Sequence, residues 1–155
     1  MKQLCAIPLV FLTACSLTKP INQSVHQQCE QTLYQYTEIR DKGTTEQYVS
    51  LFTEDATFNV AKLNISLAGH QALASRFESA RATKKSIHLM TSTQIFLDKN
   101  SLLSANSNFI LYLKNKNNEG ETTVIAGRYL DKLTLTENTC KFSHREVIVD
   151  RIDTL

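Results

Sequence analysis

Three side chains able to move or steady a charge stand in segments otherwise built for burial. They are Asp41 in Arg40-Asp41-Lys42-Gly43, His88 in Ser86-Ile87-His88-Leu89-Met90-Thr91-Ser92, and Arg145 in Lys141-Phe142-Ser143-His144-Arg145-Glu146. A carboxylate that accepts a hydrogen bond from one imidazole nitrogen fixes the tautomer and raises the basicity of the other nitrogen. That second nitrogen then takes a proton beside a leaving group. A guanidinium nearby holds the developing anion, halide or oxyanion. Read singly, each residue has a plainer role: Asp41 as a solvated helix-end residue, His88 as a satisfied histidine at a sheet edge, Arg145 as half of an ion pair with Glu146 or Asp131. His26, His70 and His144 have no evident partner and read as surface residues. With no dense His/Cys cluster, no P-loop and no GxGxxG, metal hydrolysis and phosphoryl transfer have no support, and neither metal nor cofactor is expected.

The elements that must bring these residues together are legible in the periodicity. Val25, Cys29, Leu33, Tyr36 and Ile39 recur at helical spacing, giving one apolar stripe that Gly43 stops just after Asp41. Thr44 with Gln47 forms a capping box for a shorter helix through Phe52, with Tyr48, Leu51 and Phe52 toward the core. Asp55 to Val60 reads as a strand, and Gly69 to Ala82 carries Leu73, Phe77 and Ala80 at helical spacing. Lys84-Lys85 reads as a solvated turn.

The second half changes period. Ser86 to Leu97, Leu102 to Lys114, Thr122 to Thr136 and Lys141 to Val149 are rich in β-branched and aromatic residues and are separated by polar turns, which predicts four antiparallel strands in a meander. Helices followed by strands indicate an α+β domain with the helices on one face of a curved antiparallel sheet. Strands of this length exceed the usual ~5–6 residues, so bending at bulges is expected, and a curved sheet closed by helices makes a cone with a pocket. In the first long strand Ile87, Leu89, Thr91, Thr93, Ile95 and Leu97 alternate with His88, Met90, Ser92, Gln94 and Phe96. Both faces are partly apolar, so one buries against the helices and the other needs a second cover. A sheet-to-sheet homodimer is the simplest candidate.

At 155 residues the chain suits one domain. Hydrophobic residues at 42% with only four Gly and two Pro exclude disorder and fibrous repeats, and a net charge of +2 with scattered basic residues argues against nucleic acid as a partner. Lys2 precedes an apolar run from Leu4 to Leu12, too short to span a bilayer as a helix and typical of an export signal. Leu12-Thr13-Ala14-Cys15 resembles the lipobox of bacterial lipoproteins, which implies cleavage before Cys15 and lipidation of that residue. Ser16 is not the Asp that commonly retains such products at the inner membrane, so the resemblance places the chain on the periplasmic face of the outer membrane. Cys29 and Cys140 then remain in an oxidising compartment, either as a disulfide or as two buried thiols. If they pair, Asp41 lies ~18 Å beyond the bond along a helix and Arg145 ~16 Å beyond it along a strand, so the two elements run side by side toward the pocket.

Together with Ile125-Ala126-Gly127-Arg128-Tyr129-Leu130-Asp131, the segments around Asp41, His88 and Arg145 resemble the SnoaL-like branch of the nuclear transport factor 2 superfamily, especially the hexachlorocyclohexane dehydrochlorinase and scytalone dehydratase group. The resemblance implies the cone fold of that superfamily. It further implies an Asp at the end of the first helix that orients a strand His acting as general base in an elimination, and an Arg in the last strand that steadies negative charge. Those positions match Asp41, His88 and Arg145. A Trp often found in the last hairpin of the group is replaced here by Cys140.

The domain reading is a signal peptide at 1–14, a lipidated tether at 15–23, a SnoaL-like domain at 24–151 and a C-terminal tail at 152–155. The expected ligand is a small, partly apolar molecule held by Tyr36, Met90, Ile125 and Tyr129, with cofactor-free lyase or isomerase chemistry on it. The alternative is a non-catalytic ligand-binding or protein-interaction module of the cell envelope.

Overall fold

The computed structural model describes residues 20–117, 119–136 and 139–155. The export signal, the lipobox and Cys15 lie outside the described residues.

Asn22 opens the first helix, α1 (Gln23–Lys42), by accepting the Ser24 backbone N–H on Oδ1 at 2.8 Å. Its predicted stripe is its buried face: Cys29, Leu33 and Tyr36 are almost inaccessible to solvent, with Val25 and Ile39 packed beside them. Gly43 ends the helix at a tight approach, since a Cβ there would stand 2.9 Å from the Ile39 Cα. The predicted capping box is present in α2 (Thr45–Ser50), where Thr44 and Gln47 exchange side-chain-to-backbone hydrogen bonds. This helix stops before Phe52. Phe52 instead begins β1 (Phe52–Val60), three residues earlier than the periodicity predicts, because it pairs with Phe142 on the last strand. A short 3-10 turn over Ala61–Leu63 leads into β2 (Ile65–Ala68), a four-residue strand whose two inward side chains are too few to register as a pattern. Helix α3 (Gly69–Thr83) follows and buries Leu73 and Phe77.

The meander is present as β3 (Lys84–Leu97), β4 (Leu103–Asn115), β5 (Thr123–Thr136) and β6 (Thr139–Thr154). Strand order is β2-β1-β6-β5-β4-β3, antiparallel except for the parallel pair β1 and β6. This six-stranded sheet curves without closing, and the helices fill its concave side. The fold is the α+β cone expected from the resemblance. Two boundaries differ. Lys84 and Lys85 open β3 by pairing with Asn115 and Lys114 rather than forming a turn, and β6 continues through Thr154, so 152–155 is mostly strand paired with β5 rather than a tail.

The long strands bend at register shifts, as their length requires. One shift lies between Met90 and Ser92 on β3, where Thr91 is the extra residue. It breaks the strict alternation predicted for this strand. His88 and Ile95, seven residues apart, are both buried on the inner side, whereas Ile87 and Leu89 are exposed on the outer side. A single inserted residue reverses every later side chain of a strand with period two.

Cys29 and Cys140 form a disulfide across a sequence separation of 111. The Thr32 hydroxyl, one turn on, donates to the Cys140 carbonyl at 2.8 Å, and Tyr36 stands edge-on to Phe142 at 5.8 Å. From this staple α1 and β6 run side by side toward the open end of the cone.

Candidate active site

The last turn of α1 delivers Asp41, and β3, packed on α1, delivers Ser86 and His88. A carboxylate at a helix C-terminus opposes the macrodipole, so other donors must hold it there. Asp41 Oδ1 accepts from His88 Nδ1 at 2.6 Å and from the Ser86 hydroxyl at 2.7 Å, while Oδ2 accepts the His88 backbone N–H at 2.7 Å. Burial pushes this carboxyl group up, but the hydrogen bonds from His88 and Ser86 outweigh it and hold Asp41 below the usual carboxylate range.

An ionised carboxylate only accepts, so Nδ1 carries the ring hydrogen and Nε2 carries the lone pair. Burial pushes the His88 imidazolium toward deprotonation. Asp41 opposes that shift, Arg40 and Arg145 add to it, and the net direction is below the ordinary histidine value. The imidazole is therefore neutral at pH 7, the state a base needs.

His88 lines a cavity of about 370 Å³. Its walls are mostly apolar, drawn from Phe58 and Val60 on β1, Leu111 and Ile125 on the sheet floor, and Val147 on β6. Tyr36 stands edge-on to His88 at 6.3 Å between ring centroids, and Tyr129 stacks on Phe109 at 4.3 Å. That stacking depends on Gly127, where a Cβ would come 3.0 Å from the Phe109 ring and 2.1 Å from the Ile148 carbonyl. Burial raises the phenols of Tyr48 and Tyr129, so both keep their protons and remain hydrogen-bond donors. Among the described residues no group of three or more His, Cys, Asp or Glu is placed to hold a metal ion.

The profile of the SnoaL-like domain family matches residues 24–146. The chain belongs to this family. No curated protein matches the chain at a significant level. Among solved structures, a provisionally assigned scytalone dehydratase from Novosphingobium aromaticivorans superposes with a TM-score of 0.75 at 18% identity, covering 84% of this chain and 87% of that one. A type 2 hexachlorocyclohexane dehydrochlorinase gives 0.71 at 16% identity, covering 84% and 88%. A provisionally assigned aromatic ring hydroxylase from N. aromaticivorans gives 0.78 at 17%, covering 88% and 96%. At these identities the similarity is one of fold.

Of the residues predicted for the site of this SnoaL-like domain, Tyr36, His88, Ile125 and Tyr129 line the cavity, and Asp41 stands beside His88. Met90 does not line it. At the bulge, its sulfur accepts a hydrogen bond from the Thr93 hydroxyl at 2.9 Å, and the side chain packs against the core.

Arg145 is not on the wall either. It is fully buried, and its Nε and Nη2 donate to the two carboxylate oxygens of Asp131 at 2.7 and 2.8 Å. Its guanidinium lies 3.9 Å from the Tyr36 ring centroid, 4.0 Å from Phe142 and 4.2 Å from Tyr129, and its Nη1 makes no hydrogen bond among the described residues. Its charge is held by Asp131 and by ring faces. Burial pushes the Asp131 carboxyl up and Arg145 only partly offsets this, but a guanidinium that never deprotonates keeps the pair ionic at pH 7.

Two histidines read as surface residues have partners: His70 Nε2 contacts the Phe52 carbonyl at 3.0 Å, and His144 Nδ1 contacts the Thr57 hydroxyl at 2.6 Å. The cavity also has cations that the motif reading passed over. Arg40, Arg76, Arg81 and Lys84 all line it. Arg40 lies four residues beyond Tyr36, hence on the same helix face, and that spacing was the available signal.

Proposed function

We propose that this SnoaL-like domain binds a small, partly apolar molecule and removes a proton from it without a cofactor, in an elimination or isomerisation. His88 is the general base and Asp41 its positioning partner. In the elimination, Nε2 takes the proton from carbon, the C–H electron pair becomes the new double bond, and the leaving group departs with its own pair. Tyr36 and Tyr129, which line the cavity, are the donors assigned to a developing oxyanion, and Arg145, whose guanidinium lies on the Tyr36 ring, acts by fixing that ring.

The observation that carries this reading is the 2.6 Å contact between Asp41 Oδ1 and His88 Nδ1 beside an apolar cavity. Exclusion of water strengthens the pair and protects a carbanion-like transition state. In the cell, we place the domain on the periplasmic side of the outer membrane, tethered through lipidated Cys15. Two copies meet through the outer sheet face around the exposed Ile87 and Leu89.

The test is mass spectrometry of small molecules that co-purify with the full chain, followed by incubation of the recovered ligand with the protein in D2O. Deuterium incorporation or product formation that disappears in His88→Ala and falls steeply in Asp41→Asn is the expected result. Retention of ligand with no exchange in the native protein would assign the cavity to binding alone.

A further inference from the structure

The cavity is apolar at its walls and cationic around its lining, and it contains no acid. Arg40, Arg76, Arg81 and Lys84 line it, and no Asp or Glu does so among the described residues. Asp41 lies next to it in space, but both of its oxygens are already occupied by His88 and Ser86.

None of the four cations makes an ion pair with a carboxylate among the described residues. Lys84 donates to the neutral amide oxygen of Asn115, and Arg81 donates to the Gly43 carbonyl with its guanidinium over the Phe77 ring. Arg40, half-buried beside Asp41, lies over the rings of Tyr48 and Phe77 at 5.4 and 5.3 Å and makes no hydrogen bond among the described residues. Cations elsewhere in the fold show the contrast. Arg145 in the core has Asp131, and on the sheet Lys132 has Asp98 and Arg128 has Asp150. The buried guanidinium of the core thus has its carboxylate, whereas the four cations around the cavity have none among the described residues.

Resting on the reading that the cavity holds a small ligand, we infer that this ligand is an amphiphilic anion: an apolar body with one carboxylate-type head. The body lies on the apolar walls, and the head meets Arg40, the most enclosed free guanidinium, with Arg76 at the rim adding long-range attraction. The planar fork of Arg40 suits a carboxylate, and partial burial limits the screening that weakens surface pairs. The volume is that of roughly a dozen groups of ~30 Å³, so the body is small: an arylalkyl or short acyl acid rather than a long lipid chain. Because Arg40 adjoins Asp41, a bound head fixes the molecule next to His88, which turns binding energy into orientation for proton removal.

Three probes share one body and differ in the head: 4-phenylbutyrate, 4-phenylbutanol and 4-phenylbutylamine. Calorimetric titration of the full chain at low salt should give tightest binding for the carboxylate, at least tenfold better than the alcohol, with the amine weakest. The carboxylate advantage should shrink as salt is raised. Arg40→Gln should cut the carboxylate-to-alcohol ratio to below threefold, and Arg40→Lys should retain part of it; the ratio, unlike absolute affinity, is insensitive to a general loss of folded protein. An alcohol that binds as tightly as the carboxylate overturns the anionic head and leaves the proton-abstraction reading standing. Failure of all three probes to bind overturns the cavity as a ligand site, and both readings fall.

Discussion

Arg145 and Asp131 face each other across β6 and β5 as a fully buried, bidentate ion pair, with both oxygens of the carboxylate engaged. This pairing explains why a cation in the middle of the core does not reach the cavity. It is also costly to break, because either partner left alone is an uncompensated buried charge. Asp131→Asn or Arg145→Met should each lower stability by about 3–5 kcal/mol, while the joint replacement Arg145→Met with Asp131→Leu recovers most of that loss. Urea unfolding of the three variants checks this. Single variants as stable as the native protein would mean the pair contributes nothing.

His88 should titrate below the ordinary histidine value of ~6.5, because burial outweighs the pull of Asp41. The readout is the NMR shift of the His88 ring Cε1–Hε1 pair with pH. Asp41→Asn removes the one charge that favours imidazolium, so the midpoint should fall further. An upward move on that substitution contradicts the electrostatic assignment.

The same two groups set the acid side of the stability profile. His88 is neutral in the folded state at pH values where the unfolded chain is already protonated, so stability is complete above ~6.5 and is lost as pH falls toward the depressed folded value. Asp41, depressed by its hydrogen bonds, contributes above its unfolded value and loses that contribution as pH falls through its folded one. Stability measured from pH 7.5 down to 5 should therefore decline, and His88→Gln should flatten this part of the curve.

Removing the Cys29–Cys140 bond opens a loop of 111 residues, worth about 5 kcal/mol in the chain-entropy account. The variant with Cys29→Ser and Cys140→Ser should show a lower melting temperature under oxidising conditions. It should also be insensitive to reductant, whereas the native chain drops toward it on reduction. Thermal melts with and without reductant decide the matter.

Gly127→Ala should destabilise by about 1–3 kcal/mol, since the added methyl group collides with the Ile148 carbonyl and the Phe109 ring. Because Phe109 then leaves Tyr129, ligand affinity should fall with it. Unfolding and calorimetry on one preparation report both effects.

Much of this protein could be read along the chain. The stripe from Val25 to Ile39, the capping box of Thr44 and Gln47, and the four long strands are local patterns, written in residues a few positions apart; they determine an α+β domain with helices on a curved antiparallel sheet, and the family resemblance named it as a cone. The positions of Asp41 and His88 were visible too, since a charged group in an apolar element is conspicuous. Other features were decided only by folding. The bulge at Thr91 reversed the second half of β3, the choice between the two carboxylates open to Arg145 went to Asp131 on β5 rather than Glu146, and Arg40, Arg76, Arg81 and Lys84 gathered around the cavity from two helices and a strand. The physical reason is that periodicity states which face a side chain takes within its own element, whereas pairing of charges depends on register between strands far apart in sequence, and one inserted residue changes that register.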